Sequence, residues 1–123
     1  MVIGICMKRD MDLIRKILLT VESEEHGFVP HKKIEIEGYT QEEIGYHAFL
    51  LGEAGLAEVT VSSHHHSESP SANILRLTWE GHEFLDAARD NNIWNQAKDK
   101  IGSAAIQVWM TVLSSFILNR IGL

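Results

Sequence analysis

The sequence predicts an α+β, mostly helical fold with one two-stranded hairpin and an added C-terminal helix. Three observations predict it. Thr40-Gln41-Glu42-Glu43 has the form of a helix capping box, and Ala54-Gly55-Leu56 follows at the distance of a helix stop. Two short alternating stretches, Glu58 to Ser62 and Ile74 to Thr78, flank the polar run Ser63 to Asn73, the pattern of two strands and a long tip. The other periodic stretches, near both ends of the chain, repeat at helical spacing.

Each element has a local reason. Met11, Ile14, Leu18 and Val21 share one helical face, so Met7 to about Ser23 is expected as a first helix that stops before His26-Gly27. Phe28 to Gly38 contains Pro30 and the alternation Ile34-Glu35-Ile36-Glu37, which predicts a short edge strand. In the capping box the Thr40 hydroxyl serves the amide of Glu43, whose carboxylate reaches back to the amide of Thr40. The helix it opens puts Ile44, His47, Leu51 and Ala54 on one face, and Gly55 supplies the left-handed stop. After the hairpin, Thr78 caps a third helix containing Phe84, Leu85 and Ala88, and Ile93 to Lys100 forms a short fourth around Trp94 and Ala97. Ser103 opens a last helix reaching about Asn119. The order helix, short strand, helix, strand, wing, strand is that of a winged-helix-like domain with a two-stranded wing.

Composition bounds the function. At 123 residues, with 45% apolar and 23% charged residues, the chain reads as one globular domain. We divide it into an extension (1–6), a winged-helix-like domain (7–101) and a C-terminal apolar helix (102–123) expected to dimerise. Cys6 is the single cysteine, which rules out an internal disulfide and any multi-cysteine zinc site. Met1 to Cys6 is apolar, but Lys8 and Arg9 follow it on the wrong side for a secretory signal, so an extension ahead of a second start at Met7 and a cytoplasmic location are expected. The run from Ala104 to Leu118 would rise only about 23 Å as a helix, short of a roughly 30 Å hydrocarbon core, and no membrane partner is expected.

Three segments carry a resemblance. Met7-Lys8-Arg9-Asp10-Met11-Asp12-Leu13-Ile14-Arg15-Lys16-Ile17-Leu18-Leu19 resembles the opening of a bacterial and prophage family filed as a domain of unknown function. Arg76-Leu77-Thr78-Trp79-Glu80-Gly81-His82-Glu83-Phe84-Leu85-Asp86-Ala87 is similar to that family's second signature, and Tyr46-His47 with Ala54-Gly55-Leu56 matches the segment between. The resemblance spans about Met7 to Ile101. It implies a winged-helix fold and a mobile-element setting, and it assigns no activity.

Two binding readings compete. In a helix-turn-helix the second helix enters the major groove by its N-terminal residues, here Thr40, Gln41, Tyr46 and His47, with Lys8, Arg9, Arg15, Lys16, Lys32 and Lys33 available for phosphates. Charge opposes it. The chain carries −6 overall, and Tyr39 to Ser63 holds Glu42, Glu43, Glu53 and Glu58 with no lysine or arginine. A protein partner is therefore the expected ligand, with double-stranded DNA as the alternative. Trp79 and Trp94 are expected in the core, whereas Ile106, Trp109, Met110, Leu113, Phe116 and Ile117 form a stripe on a helix apolar nearly all round, expected to make a homodimer with Trp109 leading.

Chemistry is poorly represented. There is no phosphate-binding glycine loop and no His-Glu-x-x-His. His64, His65 and His66 suit zinc, copper or nickel by type, but consecutive residues point apart, and Glu68 and His82 would help only if the wing folded back. A solvated wing is the reading, with no metal and no cofactor. His47 is expected at the core edge, bonded to a backbone carbonyl rather than acting as a base. No enzymatic activity is expected.

Overall fold

A computed structural model describes residues 8–24, 34–62, 70–101 and 105–120, with backbone alone at 62, 106 and 116–120. The order is α1 (Met11–Glu22), α2 (Gln41–Glu53), β1 (Ala57–Ser62), β2 (Ser71–Leu77), α3 (Trp79–Ala88), α4 (Asn91–Ile101) and α5 (Ile106–Arg120). The fold is α+β and mostly helical, with one antiparallel two-stranded sheet among the described residues. That arrangement is consistent with a winged-helix-like plan.

Helices α1 to α4 each begin at a side-chain cap. Asp10 opens α1 by accepting from the amides of Asp12 (2.9 Å) and Leu13 (3.3 Å), so the helix starts later than the apolar spacing alone suggests. The Thr40 capping box forms in full, with Glu43 Oε1 2.9 Å from the amide of Thr40 and Thr40 Oγ1 3.1 Å from that of Glu43. At the other end of α2, Gly55 takes φ +76°, its N–H meets Gly52 O, and the Leu56 N–H meets Leu51 O at 3.0 Å. These are the two bonds of a Schellman stop, and they fold Leu56 back into the core.

The predicted edge strand is not found among the described residues. Phe28 to Lys33 lie outside the described residues, and Ile34 to Ile36 pair with no strand among them. A turn through Gly38 (φ +89°) closes this segment, and its Ile34 carbonyl takes the side chain of Gln41 at 2.9 Å. The alternation survives as packing: Ile34 and Ile36 lean on the core, and Glu35 faces solvent.

In the sheet Ala57 faces Leu77, Glu58 faces Arg76 and Val59 faces Ile74, so Leu75 is an extra residue on β2. Ala72, Ile74 and Leu77 are all buried. The hairpin is joined to α3 by Thr78, whose N–H reaches Leu56 O (3.1 Å) and whose hydroxyl donates to Gly55 O (2.6 Å) while accepting from the Gly81 amide (3.1 Å). Backbones meet so closely here that a Cβ on Gly81 would lie 1.9 Å from Leu56 O, which explains the glycine one turn into α3.

One continuous core links the elements. Leu13, Ile17, Leu18 and Val21 of α1 pack with Ile44 and Leu51 of α2, Phe84 and Leu85 of α3, and Trp94 of α4. Burying each such side chain contributes about 1.5–3 kcal/mol. Two tryptophan expectations change. Trp79 is 74% exposed, because the core stripe of α3 is Gly81, Phe84, Leu85 and Ala88, and Trp79 precedes Gly81 by about 200° of helix. Trp109, expected at a dimer contact, is 0% exposed, as is Leu113. Helix α5 lies on α3 and α4, Trp109 meets Trp94 at 4.5 Å between ring centroids, and Met110 is half-buried beside them. The outward side of α5 shows Gln107, Val108, Thr111, Ser114 and Ser115. Trp109 and Leu113 are therefore spent on the chain's own core, while the side chains of Ile106, Phe116 and Ile117 lie outside the described residues. Among the described residues no helix is long and apolar enough to cross a membrane.

Candidate functional site

Arg15 of α1 turns toward the chain itself, whereas Lys16 beside it is exposed. Arg15 Nε donates to Ala88 O at 2.7 Å, and its Nη2 reaches Arg89 O (2.9 Å) and Asn91 Oδ1 (2.7 Å), closing the open C-terminal end of α3. The guanidinium also lies 5.4 Å from the Trp94 ring. Burial pushes its pKa down, against the charges of Asp12 and Asp90. One turn earlier, Asp12 accepts the Trp94 indole N–H at 2.7 Å and Lys98 Nζ at 3.0 Å. Burial opposes ionisation of Asp12, but these two bonds, with the charges of Lys98 and Lys16, hold its carboxyl below the ordinary value. Arg89 spans Glu22 and Asp86 at 2.7 Å each, and its hydrogen bonds lower the pKa of Glu22.

The N-terminal end of α2 is closed in the same way. Thr40 and Glu43 cap each other, and Gln41 donates to Ile34 O. His47, 2% exposed, donates from Nδ1 to Glu43 O at 2.8 Å and accepts the Asp10 N–H at Nε2, also at 2.8 Å. Both ring nitrogens are thus occupied, and the imidazole ties α2 to the start of α1. Tyr46 lies edge-on to it at 5.7 Å. Tyr39 donates to Asp10 Oδ2 at 3.2 Å, and burial together with the Asp10 charge pushes its phenol up to about 12. This cluster is a structural clasp, with no cysteine or serine bonded to the histidine among the described residues.

The residues read as DNA contacts are therefore dispersed in role. Lys8 and Arg9 are exposed ahead of α1, Tyr46 is half-buried, and Thr40 and Gln41 are engaged with their own chain. Lys32, Lys33 and the wing histidines His64, His65 and His66 lie outside the described residues, and His82 is exposed on α3.

A different corner stands out on the surface. Trp79 projects from the first turn of α3, its indole N–H held by Glu83 Oε1 at 2.7 Å. Thr78 ties this turn to the stop of α2 at Gly55, so the exposed first turn of α3, with Trp79, Glu80 and Glu83, follows directly on the end of α2, where Glu53 is exposed. Glu58 and Arg76, paired at 2.8 Å, flank it on the sheet. Sequence reading missed this site because it placed Trp79 in the core. The phase of Gly81, Phe84, Leu85 and Ala88 was the signal that could have turned it outward.

The fold is α+β, consistent with a winged-helix-like arrangement, and Asp10, Asp12, Arg15, Thr40, His47, Thr78 and Arg89 are bonded within or between its own elements. The chain belongs to the family described as "Hypothetical protein (DUF2513)", whose model matches residues 8–107. An "Uncharacterized protein" of Haemophilus influenzae is 36% identical over 119 residues, which cover 90% of this chain and 99% of that protein. No solved structure matches the chain.

Proposed function

We propose that this chain is a non-enzymatic binding module of a bacterial or phage mobile element, cytoplasmic, whose ligand is a protein rather than DNA. The observation that carries the proposal is the closed state of the α2 N-terminus. Thr40 and Gln41, two of the residues that would meet base edges, are bonded within the chain, as is Glu43 of the capping box, and the acceptor groups there would oppose phosphate. Arg15, Arg76, Arg89 and Lys98 are likewise bonded internally. Phosphate contacts supply most non-specific DNA affinity, and they need cations free to reach a backbone. Because Trp109 and Leu113 are buried in the chain's own core, a homodimer through α5 forms no part of the proposal.

The test is capture of partners from the native host on the tagged full chain, with nuclease-treated and untreated lysates in parallel. The same protein retained in both supports the reading. Retention only where nucleic acid is intact overturns it. A duplex titration completes the test: DNA recognition would show affinity falling steeply with salt, and weakening by Lys32→Glu with Lys33→Glu.

A further inference from the structure

We propose that the corner around Trp79 docks an arginine- or lysine-bearing segment of a partner protein, a proposal that rests on the protein-partner reading above. Trp79 is 74% exposed, the most open large apolar side chain among the described residues. Its bond to Glu83 fixes the ring along the first turn of α3 without covering it. An indole held in this way offers a pre-oriented face that loses little conformational entropy when a ligand arrives.

Charge selects the occupant. Glu80 and Glu53 are exposed and make no ion pair or hydrogen bond with a described residue. Glu83 carries a carboxylate beside the ring edge, and with Glu80 it outweighs the partial positive charge at the N-terminal end of α3, on whose first turn Trp79 stands. Arg76 on the neighbouring sheet is already neutralised by Glu58, and His82 follows on α3. A cation above an indole face is attracted by the ring quadrupole, and an arginine adds planar stacking with donors left over for carboxylates. Phosphate would be repelled here. An apolar partner would strip water from Glu53 and Glu80 without pairing them. A second copy of the chain would bring the same acidic corner and −6 of charge.

The test titrates the full chain against a fluorescein-labelled hexa-arginine peptide and reads anisotropy, with circular dichroism showing that each variant is folded. Trp79→Ala is expected to raise Kd about threefold or more, and Trp79→Phe to restore most of that loss. Glu80→Gln with Glu83→Gln should weaken binding by a similar factor. Glu35→Gln with Asp99→Asn removes the same charge from exposed positions elsewhere and should change Kd by much less. Binding indifferent to Trp79→Ala, or weakened equally by the distant pair, overturns the proposal. The two readings fail separately. Duplex DNA recovered in place of a protein removes the preceding reading while leaving a Trp79-dependent peptide contact intact, whereas Trp79-independent peptide binding removes only this surface.

Discussion

Trp94 and Trp79 make the same bond in opposite surroundings. Each donates its indole N–H to a carboxylate at 2.7 Å, Trp94 to Asp12 and Trp79 to Glu83. Trp94 is 1% exposed, stacked near Trp109 and crossed by Arg15, and its carboxylate belongs to another helix 82 residues away. Trp79 is 74% exposed, and its carboxylate lies one turn further along its own helix. The first bond joins the domain together. The second holds a side chain still where solvent can reach it. The hydrogen bond alone does not tell a structural tryptophan from one free for recognition; what surrounds the ring does.

Substitutions at four positions test that contrast, in descending order of effect. Trp94→Ala empties the centre of the core and removes one of the two donors to Asp12, and should destabilise the fold by about 3–5 kcal/mol in denaturant unfolding. A loss below about 1 kcal/mol would show that Trp94 is not the joint described. Gly81→Ala should cost about 1–3 kcal/mol, because its methyl would collide with the Leu56 carbonyl and push the Trp79 turn away from α2. Wild-type melting in that variant would mean the two backbones are not in contact.

Asp12→Ala should cost about 1–3 kcal/mol by leaving the Trp94 N–H without its acceptor. Acid should act in the same direction. The Asp12 and Glu22 carboxyls are held below their ordinary values of 3.8 and 4.5, so their contribution is whole well above those values and drains as pH falls through the lower folded ones. Urea midpoints measured from pH 6 down to pH 3 should fall less steeply in Asp12→Asn than in the wild type; parallel curves would remove the assignment. Trp79→Ala, the mildest, should shift stability by no more than about 0.5 kcal/mol. A large loss there would make Trp79 a structural residue and erase the contrast.

Much of the fold was legible from local chemistry. Thr40 with Glu43, Gly55 with Leu56, and Thr78 each encode a helix boundary within a few residues, and all appear where the sequence put them. Errors came where neighbours decide. The Ile34-Ile36 alternation lacks a partner strand among the described residues, so the same pattern that makes a strand elsewhere makes a packed loop. The broad apolar surface of α5 called for a cover, but sequence could not say that α3 and α4 provide it. For Trp79, hydrophobicity outweighed helical phase, and phase was the better guide. The commitment of Thr40 and Gln41 to internal bonds needed three dimensions, because the partner of Gln41 is a carbonyl in the preceding loop.

The extra residue on β2 has a bearing on how this chain can change length. A strand alternates with period two, so Ile74 and Leu77, three apart, could not both point inward without an additional residue between them. Leu75 supplies it. Removing Leu75 would leave Ile74, Arg76 and Leu77 alternating in, out and in, with the pairings to Val59, Glu58 and Ala57 preserved. Removing Asn73 would instead turn Ala72 outward. Descendants of this gene can therefore lose one codon from β2 at position 75 and keep the sheet in phase with α3, a tolerance its neighbour at 73 lacks.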